Sequence, residues 1–540
     1  MSVETRASGA RDVHELDVRV SGGVVRGIRE ADIEAWRGIP YAAPPVGALR
    51  FRAPAPVLPW QGVRDASRHG AVAPQSRRGQ FLGAPSAIPR SEDCLNLLVL
   101  RGADARTGAN AARGDDLAPV MVFIHGGAYS VGSVREVPHQ GMDFARNGVI
   151  YVAVSYRLGA LGYLDFSSYS TPERPFESNL GLRDQVAALA WVRDNIRAFG
   201  GDPGNVTVFG ESAGANAVTT LMTVPAAAGL FHRAIAQSPP PNALYLPELT
   251  ARWAGQFLEL LSSALDNGSV EATSHEDAAA LLTGAPVDAL VAATNALQLR
   301  TPDEDPGTLC LCPVIDGDYL PERPLDAFKH GRAHRVPLII GTNDREGSLF
   351  TGRLDILAST PPRIRAIFAR TRKKTRKAIK AEYPGLPARR AAADFAGDYS
   401  FWYPSIKVAE RHARYAPVYM YRFDIAPRLV RLAGFDATHG LELFALFDRM
   451  NGWFGRTMTV LGGRRAFLGA GRRMRRWWLD FARTGDPNAQ TGAVSPAWPR
   501  YDAESDDRYR LTLIIDEVDR VECDPRGERR VAWQEFVPHV

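Results

Sequence analysis

Cysteine is scarce, with four residues in 540. That is too few for a disulfide framework. Cys310 and Cys312 stand only two apart, without a second pair or a histidine cluster, which argues against a zinc site. Long hydrophobic runs are also missing. The most apolar stretches, around Val120–Ile124 and Val149–Ser155, are strand-sized and far too short to span a bilayer. Met1 to Asp17 has no apolar h-region and holds Glu4, Asp12 and Glu15, unlike an export signal. Charge of one sign does not dominate either: the net charge is +5, a small excess for this length, and it does not call for a nucleic-acid partner. These absences lead us to expect a soluble protein of a reducing compartment, cytoplasmic and without stable membrane insertion.

What is present centres on Val206-Thr207-Val208-Phe209-Gly210-Glu211-Ser212-Ala213-Gly214. Four β-favouring residues read as a short buried strand, Gly-x-Ser-x-Gly follows, and Ala215 to Met222 reads as a helix. This is the strand–turn–helix context of a nucleophile elbow, in which a strained turn lifts the serine hydroxyl clear of the sheet edge. Gly210 and Gly214 suit a place where strand and helix cross too closely for side chains. Ala213, at the start of the helix, has an N–H free to face a developing negative charge.

Along the chain, Leu16–Val20, the turn Ser21-Gly22-Gly23 and Val24–Gly27 predict an opening hairpin. Arg37 to Gly47 is rich in proline and is expected to be a structured coil. From Ser91–Leu97 the chain is expected to enter another strand that reaches Leu100, and a loop to cover Gly102–Asp116. From Ala118 the pattern becomes strand–helix alternation. Val120–Ile124 and Val149–Ser155 are continuous apolar runs, as in strands covered on both faces. A helical stripe of Val186, Leu189, Ala190, Val192 and Ile196 follows, and Asp202-Pro203-Gly204 turns into the elbow strand. Ala234–Ala236, Val336–Ile340 and Val418–Phe423 continue the series. The reading is an α/β fold with a mainly parallel twisted sheet and helical insertions at 245–300 and 352–415.

Directly after the Val120–Ile124 strand comes His125-Gly126-Gly127-Ala128-Tyr129. Small residues there leave backbone N–H groups open to a ligand. With the elbow downstream, Gly127, Ala128 and Ala213 are candidate donors to a tetrahedral oxyanion, supported by Gly126.

Together these segments resemble the type B carboxylesterase, or cholinesterase-like, branch of the α/β-hydrolases. The resemblance rests on Gly38-Ile39-Pro40-Tyr41-Ala42 with Pro44-Pro45-x-Gly47, on Ser91-Glu92-Asp93-Cys94-Leu95, and on His125-Gly126-Gly127. It continues through Asn179-Leu180-Gly181-Leu182-Arg183-Asp184-Gln185, Phe199-Gly200-Gly201-Asp202-Pro203, the elbow, and Phe481 to Asn488. It implies an α/β-hydrolase fold, no cofactor and no metal. It also implies a triad in the order Ser, acid, His. Gly341-Thr342-Asn343-Asp344-Arg345-Glu346-Gly347-Ser348 resembles the acid loop, with Glu346 as the acid and Asp344 as local competitor. Ala437-Thr438-His439-Gly440-Leu441-Glu442 resembles the histidine loop, which singles out His439 from eleven histidines. Ser212 would then attack an ester carbonyl with His439 as base, Glu346 as its partner and Glu211 in support. Secreted relatives carry a cysteine before Pro-Gln where this chain has Ala73-Pro74-Gln75, so Cys94 is expected to be a free, buried thiol.

The expected protein is a serine carboxylesterase acting on small, fairly apolar esters as its small-molecule substrate, as a monomer or homodimer. A carbamate or amide hydrolase and a catalytically inactive binding module are the alternatives. Residues 1–15 are expected to be disordered and 16–540 to form one domain. Trp453, Phe454, Phe444 and Phe447 are candidates for either pocket or core. The basic run Arg363–Lys380 is expected to be a solvated helix face, and Arg464–Arg476 an amphipathic surface helix.

Overall fold

A computed structural model describes residues 16–76, 87–103, 117–136, 140–265, 274–352, 354–489, 496–502 and 509–536. The expectation for residues 1–15 lies outside the described residues, as does most of the Gly102–Asp116 loop.

Fourteen strands are described: β1 (Asp17–Val20), β2 (Gly23–Arg26), β3 (Ile28–Glu30), β4 (Ile33–Pro40), β5 (Val63–Asp65), β6 (Asn96–Gly102), β7 (Ala118–Ile124), β8 (Ile150–Val154), β9 (Gly201–Glu211), β10 (Arg233–Gln237), β11 (Leu338–Asn343), β12 (Val418–Phe423), β13 (Leu511–Ile515) and β14 (Arg520–Cys523). The expected hairpin is β1–β2, which joins β5 in a separate 3-stranded sheet. The other strands form one 11-stranded sheet in the order β14-β13-β12-β11-β10-β9-β7-β8-β6-β4-β3. From β8 through β7, β9, β10, β11 and β12 to β13 every neighbour is parallel, while β6, β4, β3 and β14 pair antiparallel at the flanks. This is the mainly parallel α/β sheet that the alternation predicts, in the α/β-hydrolase architecture that the resemblance implies.

Apolar runs fill the central strands because both sheet faces are covered. In β7, Val120, Val122 and Ile124 point into one core, and Met121 and Phe123 into the other. The first core is closed by the helices Leu180–Asn195, Ala213–Leu221 and Pro247–Ala264. The second is closed by Arg464–Thr484, whose Phe467, Met474, Trp477 and Trp478 are buried under the sheet. Each such side chain contributes about 1.5–3 kcal/mol by leaving water.

The structure corrects four expectations. Arg37–Pro40 is not coil but the end of β4; Pro40 is tolerated because it is the last residue of the strand, after a register shift between Trp36 and Ile39. Asp202-Pro203-Gly204 does not precede the elbow strand but lies within β9, where the pairing with β7 shifts register between Gly201 and Val206. The Arg464–Arg476 segment is less superficial than a surface helix: it covers the sheet, and Arg475 is buried with its guanidinium donating to Leu446 O at 2.5 Å. In the basic run, Arg370, Arg372, Lys373, Lys374 and Lys377 are exposed as expected, but Arg363 is buried between Asp303 and Asp355.

The Asn179–Gln185 segment has a structural explanation. Asn179 adopts φ +56 ahead of the helix and exchanges hydrogen bonds with the backbone of Val314, at 2.9 Å each way. Asp184 receives both Nε and Nη2 of Arg157, at 2.8 and 2.7 Å, with both side chains buried. Removing one partner strands the other charge in the interior. Asp184→Asn should therefore cost about 3–5 kcal/mol of unfolding free energy, read as a lowered urea midpoint with unchanged slope.

Candidate active site

Ser212 sits between β9 and the helix Ala213–Leu221 with φ +58 and ψ −124. A serine held there is strained, and the surroundings enforce it. A Cβ on Gly214 would stand 2.1 Å from Ile124 O, and one on Gly210 would stand 2.6 Å from the carbonyl carbon of Gly214. The Ser212 N–H is also tied to Gln237 O at the end of β10, at 2.9 Å.

His439 and Glu346 reach the same point from loops after β12 and β11. These loops are stitched together: Arg345 bridges Thr438 in a backbone pair and binds Asp394 and Asp436 at 2.8 Å each, while Ser348 Oγ donates to Thr438 Oγ1 at 2.7 Å. His439 Nε2 lies 2.8 Å from Ser212 Oγ, and Nδ1 lies 2.5 Å from Glu346 Oε2. The other oxygen of Glu346 accepts from Ser238 Oγ and the Asn343 N–H, both at 2.6 Å. Phe401 packs on the imidazole with ring centroids 4.4 Å apart, and Phe350 at 5.1 Å. The structure thus brings Ser212, His439, Glu346 and Glu211 together. Asp344 points elsewhere, onto the Arg526 guanidinium.

The donor loop follows β7. Gly127 (φ +108), Ala128 (φ +52) and Tyr129 (φ +55) are left-handed in succession, held by Tyr129 stacked on Tyr163 at 3.9 Å. Among the described residues nothing accepts from the N–H groups of Gly127, Ala128 or Ala213, and all three residues line the cavity above Ser212. A Cβ on Gly126 would stand 2.6 Å from Glu211 O, so this loop and the elbow are interlocked.

Sequence reasoning overlooked Ser238, Asn343 and Gln237 as site residues. Their signal is position alone: Ser238 follows β10 as Ser212 follows β9, and Asn343 closes β11. Glu442 served only to mark the histidine loop, yet it is buried and takes Nδ2 of Asn343 at 2.5 Å. Of the aromatic candidates, Phe444 and Phe454 line the cavity. Phe447 is core, packed on Phe123 at 5.4 Å, and Trp453 is exposed.

Three carboxyl groups crowd one imidazole. Burial disfavours the charged form of His439, but Glu211 and Glu346 outweigh it and push its pKa up to about 9. Burial, together with Glu442 and Glu346, pushes Glu211 up to about 8 even against the pull of His439. Burial and Glu346 raise Glu442 to about 7. Glu211 Oε1 lies 3.2 Å from Nε2 without completing a hydrogen bond, so its effect on the ring is electrostatic.

The cavity has a volume of ≈ 1610 Å³ and is walled mainly by apolar groups, among them Leu309, Leu349, Phe350, Ile356, Phe401 and Phe444. A serine hydroxyl hydrogen-bonded to a buried imidazole, with three backbone N–H groups nearby that have no acceptor among the described residues, is an arrangement suited to acyl transfer. The family comparison agrees: the profile of the "Carboxylesterase family" matches residues 14–526. This chain belongs to the carboxylesterase family. The esterase is 36% identical to para-nitrobenzyl esterase of Bacillus subtilis (strain 168), covering 96% of this chain and 98% of that one. It is 32% identical to human cocaine esterase, over 98% and 92% of the two chains. A solved thermophilic PNB esterase superposes with a TM-score of 0.81 at 34% identity, covering 97% of this chain and 100% of the other. The protein is a carboxylic ester hydrolase rather than an inactive module on the same fold. Among the described residues no single helix is long and apolar enough to cross a membrane.

Removing the Glu211 charge takes away an interaction that favours the imidazolium. Glu211→Gln should lower the pKa of His439, followed through the ring resonances of histidine-labelled protein. An unchanged or raised value would contradict this account.

Proposed function

We propose that Ser212 is the nucleophile, His439 the general base and Glu346 the acid that orients it. The observation that carries this reading is the relay in which Nε2 meets Ser212 Oγ at 2.8 Å while Nδ1 meets Glu346 at 2.5 Å. A serine hydroxyl is a weak nucleophile at neutral pH. As its oxygen attacks the ester carbonyl, its proton moves to Nε2, and Glu346 stabilises the imidazolium and holds the tautomer with Nδ1–H. The N–H groups of Gly127, Ala128 and Ala213 receive the oxyanion, each contributing roughly 10²–10³ in rate. Collapse of the tetrahedral intermediate returns the proton to the leaving alcohol. Water, deprotonated by the same imidazole, then releases the acid from the acyl-enzyme.

The substrate we propose is a bulky, uncharged ester. The ≈ 1610 Å³ cleft exceeds the usual ~300–1,000 Å³ of small-molecule sites, and its walls are mainly hydrocarbon. Relatives bear names as different as fumonisin B1 esterase and phenmedipham hydrolase, so the family leaves the substrate open. We further propose that residues 16–540 act as one domain, needing no cofactor, in a reducing cytoplasmic setting. The latter is supported by the four cysteines, all unbridged, with Cys94 buried and its thiol pKa raised by burial.

Ser212→Ala should abolish labelling by a fluorophosphonate and lower kcat on short nitrophenyl esters by about 10⁴-fold or more while the protein stays folded. Labelling that persists at another residue would refute the assignment. Glu346→Gln should lower kcat by about 10⁴-fold, because the amide favours the wrong tautomer. Asp344→Asn should leave turnover within a few-fold, and a larger loss there than at Glu346 would reassign the acid.

A further inference from the structure

One side of the cleft mouth is built from two short helices, Arg428–Leu432 and Trp453–Met458. Their inner faces belong to the cleft: Leu429, Val430, Phe454 and Met458 line it. Their outer faces, and the turn that follows the second helix, hold large apolar side chains in water. Leu432 is 76% exposed, Trp453 74%, Val460 69% and Leu461 48%. These residues form one rim. Trp453 packs on Phe454 with ring centroids 5.8 Å apart, and Phe454 on Phe444 at 5.3 Å. The Gly462–Gly463 turn after Leu461 lies against Pro427 and Arg428.

Isolated exposed apolar residues need no explanation, but a group of them beside a binding cleft marks an interaction surface. The charges around the rim define its partner. Arg428, Arg431 and Arg456 are exposed on these two helices and Arg465 at the start of the next, Arg464–Thr484, and among the described residues none of the four meets a carboxylate. The acids of residues 427–465 are engaged elsewhere or turned inward: Asp436 binds Arg345 and Arg390, Glu442 is buried, and Asp448 is half-buried. A second copy of the chain meeting this rim about a two-fold axis would set arginines against arginines. A surface that is both apolar and anionic satisfies both features.

We propose that the rim docks the enzyme on anionic lipid bilayers, with the cleft mouth against the membrane, so that esters dissolved in the lipid enter without crossing water. The apolar side chains insert to the depth of the acyl boundary, as at the apolar face of an interfacial helix. Each arginine near the headgroups adds an attraction that falls off within a Debye length. The attachment is peripheral and reversible. It rests on the esterase reading for the direction of the cleft but not for the binding itself, so the two can fail separately.

The test is co-sedimentation of the full chain with large vesicles of phosphatidylglycerol and phosphatidylcholine, or of phosphatidylcholine alone, with hydrolysis of a water-soluble nitrophenyl ester measured in parallel. Binding to the anionic vesicles should exceed binding to the neutral ones at least tenfold and weaken in high salt. Both the pair Leu432→Ser with Trp453→Ser and the pair Arg428→Gln with Arg431→Gln should weaken it at least tenfold, with turnover of the soluble ester unchanged. Binding that is absent, equal on neutral lipid, or indifferent to both pairs would overturn the proposal. So would a dimer in light scattering that the Leu432/Trp453 pair dissociates, which would assign the rim to a second copy. Absence of soluble-ester turnover in the unaltered protein would instead count against the proposed catalytic roles and leave the vesicle result to stand by itself.

Discussion

The close approach of three backbones at the elbow is the constraint on which the site depends. The Ile124 carbonyl at the end of β7 occupies the space a side chain on Gly214 would need, and Gly214 occupies that of Gly210. Strand and helix can then join only through a residue forced to positive φ, and Ser212 is that residue. The strain stays because β7, β9 and β10 are in fixed parallel register on either side and because the Ser212 N–H is bonded to Gln237 O. The rest of the site adapts to this fixed point. The donor loop after β7 lies against Glu211 because Gly126 permits it, and the loops after β11 and β12 are tied to one another through Arg345 and Ser348.

Electrostatics add a second layer. Glu211, Glu346 and Glu442 surround His439 in a region with little water, where like charges repel strongly and the imidazolium is the natural counterion. Burial keeps part of this carboxyl charge protonated, which limits how far the ring is held in its charged, non-basic form. The proposed acid differs from its neighbours in being fully engaged: Glu346 accepts from Ser238, Asn343 and His439. Glu211 has fewer partners and acts on the ring through space.

Much of this was legible in order of sequence. Period and composition predicted the parallel core, because strands buried on both faces must be apolar throughout. The elbow and the His125-Gly126-Gly127 loop were legible because close backbone contact demands glycine. Where the reading failed, a tertiary partner had overridden a local rule. Pro40 ends a strand because its place in β4 requires no N–H, and Asp202-Pro203-Gly204 interrupts β9 as an irregularity where the sequence suggests a boundary. Arg363 and Arg475 are buried because Asp303, Asp355 and the Leu446 carbonyl, distant in sequence, receive them.

The sequence by itself determined the fold class, the strained serine and the family, since each depends on local steric demand or on short motifs in a fixed order. Only the tertiary structure decided the rest. It showed where the two carboxylates of the acid loop go: Glu346, which the resemblance favours, meets His439, and Asp344 meets Arg526. It found Ser238 and Asn343, whose residue types carry no signal without a neighbour. It also divided the aromatic residues near His439 among cleft, core and open surface, a division that depends on partners distant in sequence, such as Phe123 beneath Phe447.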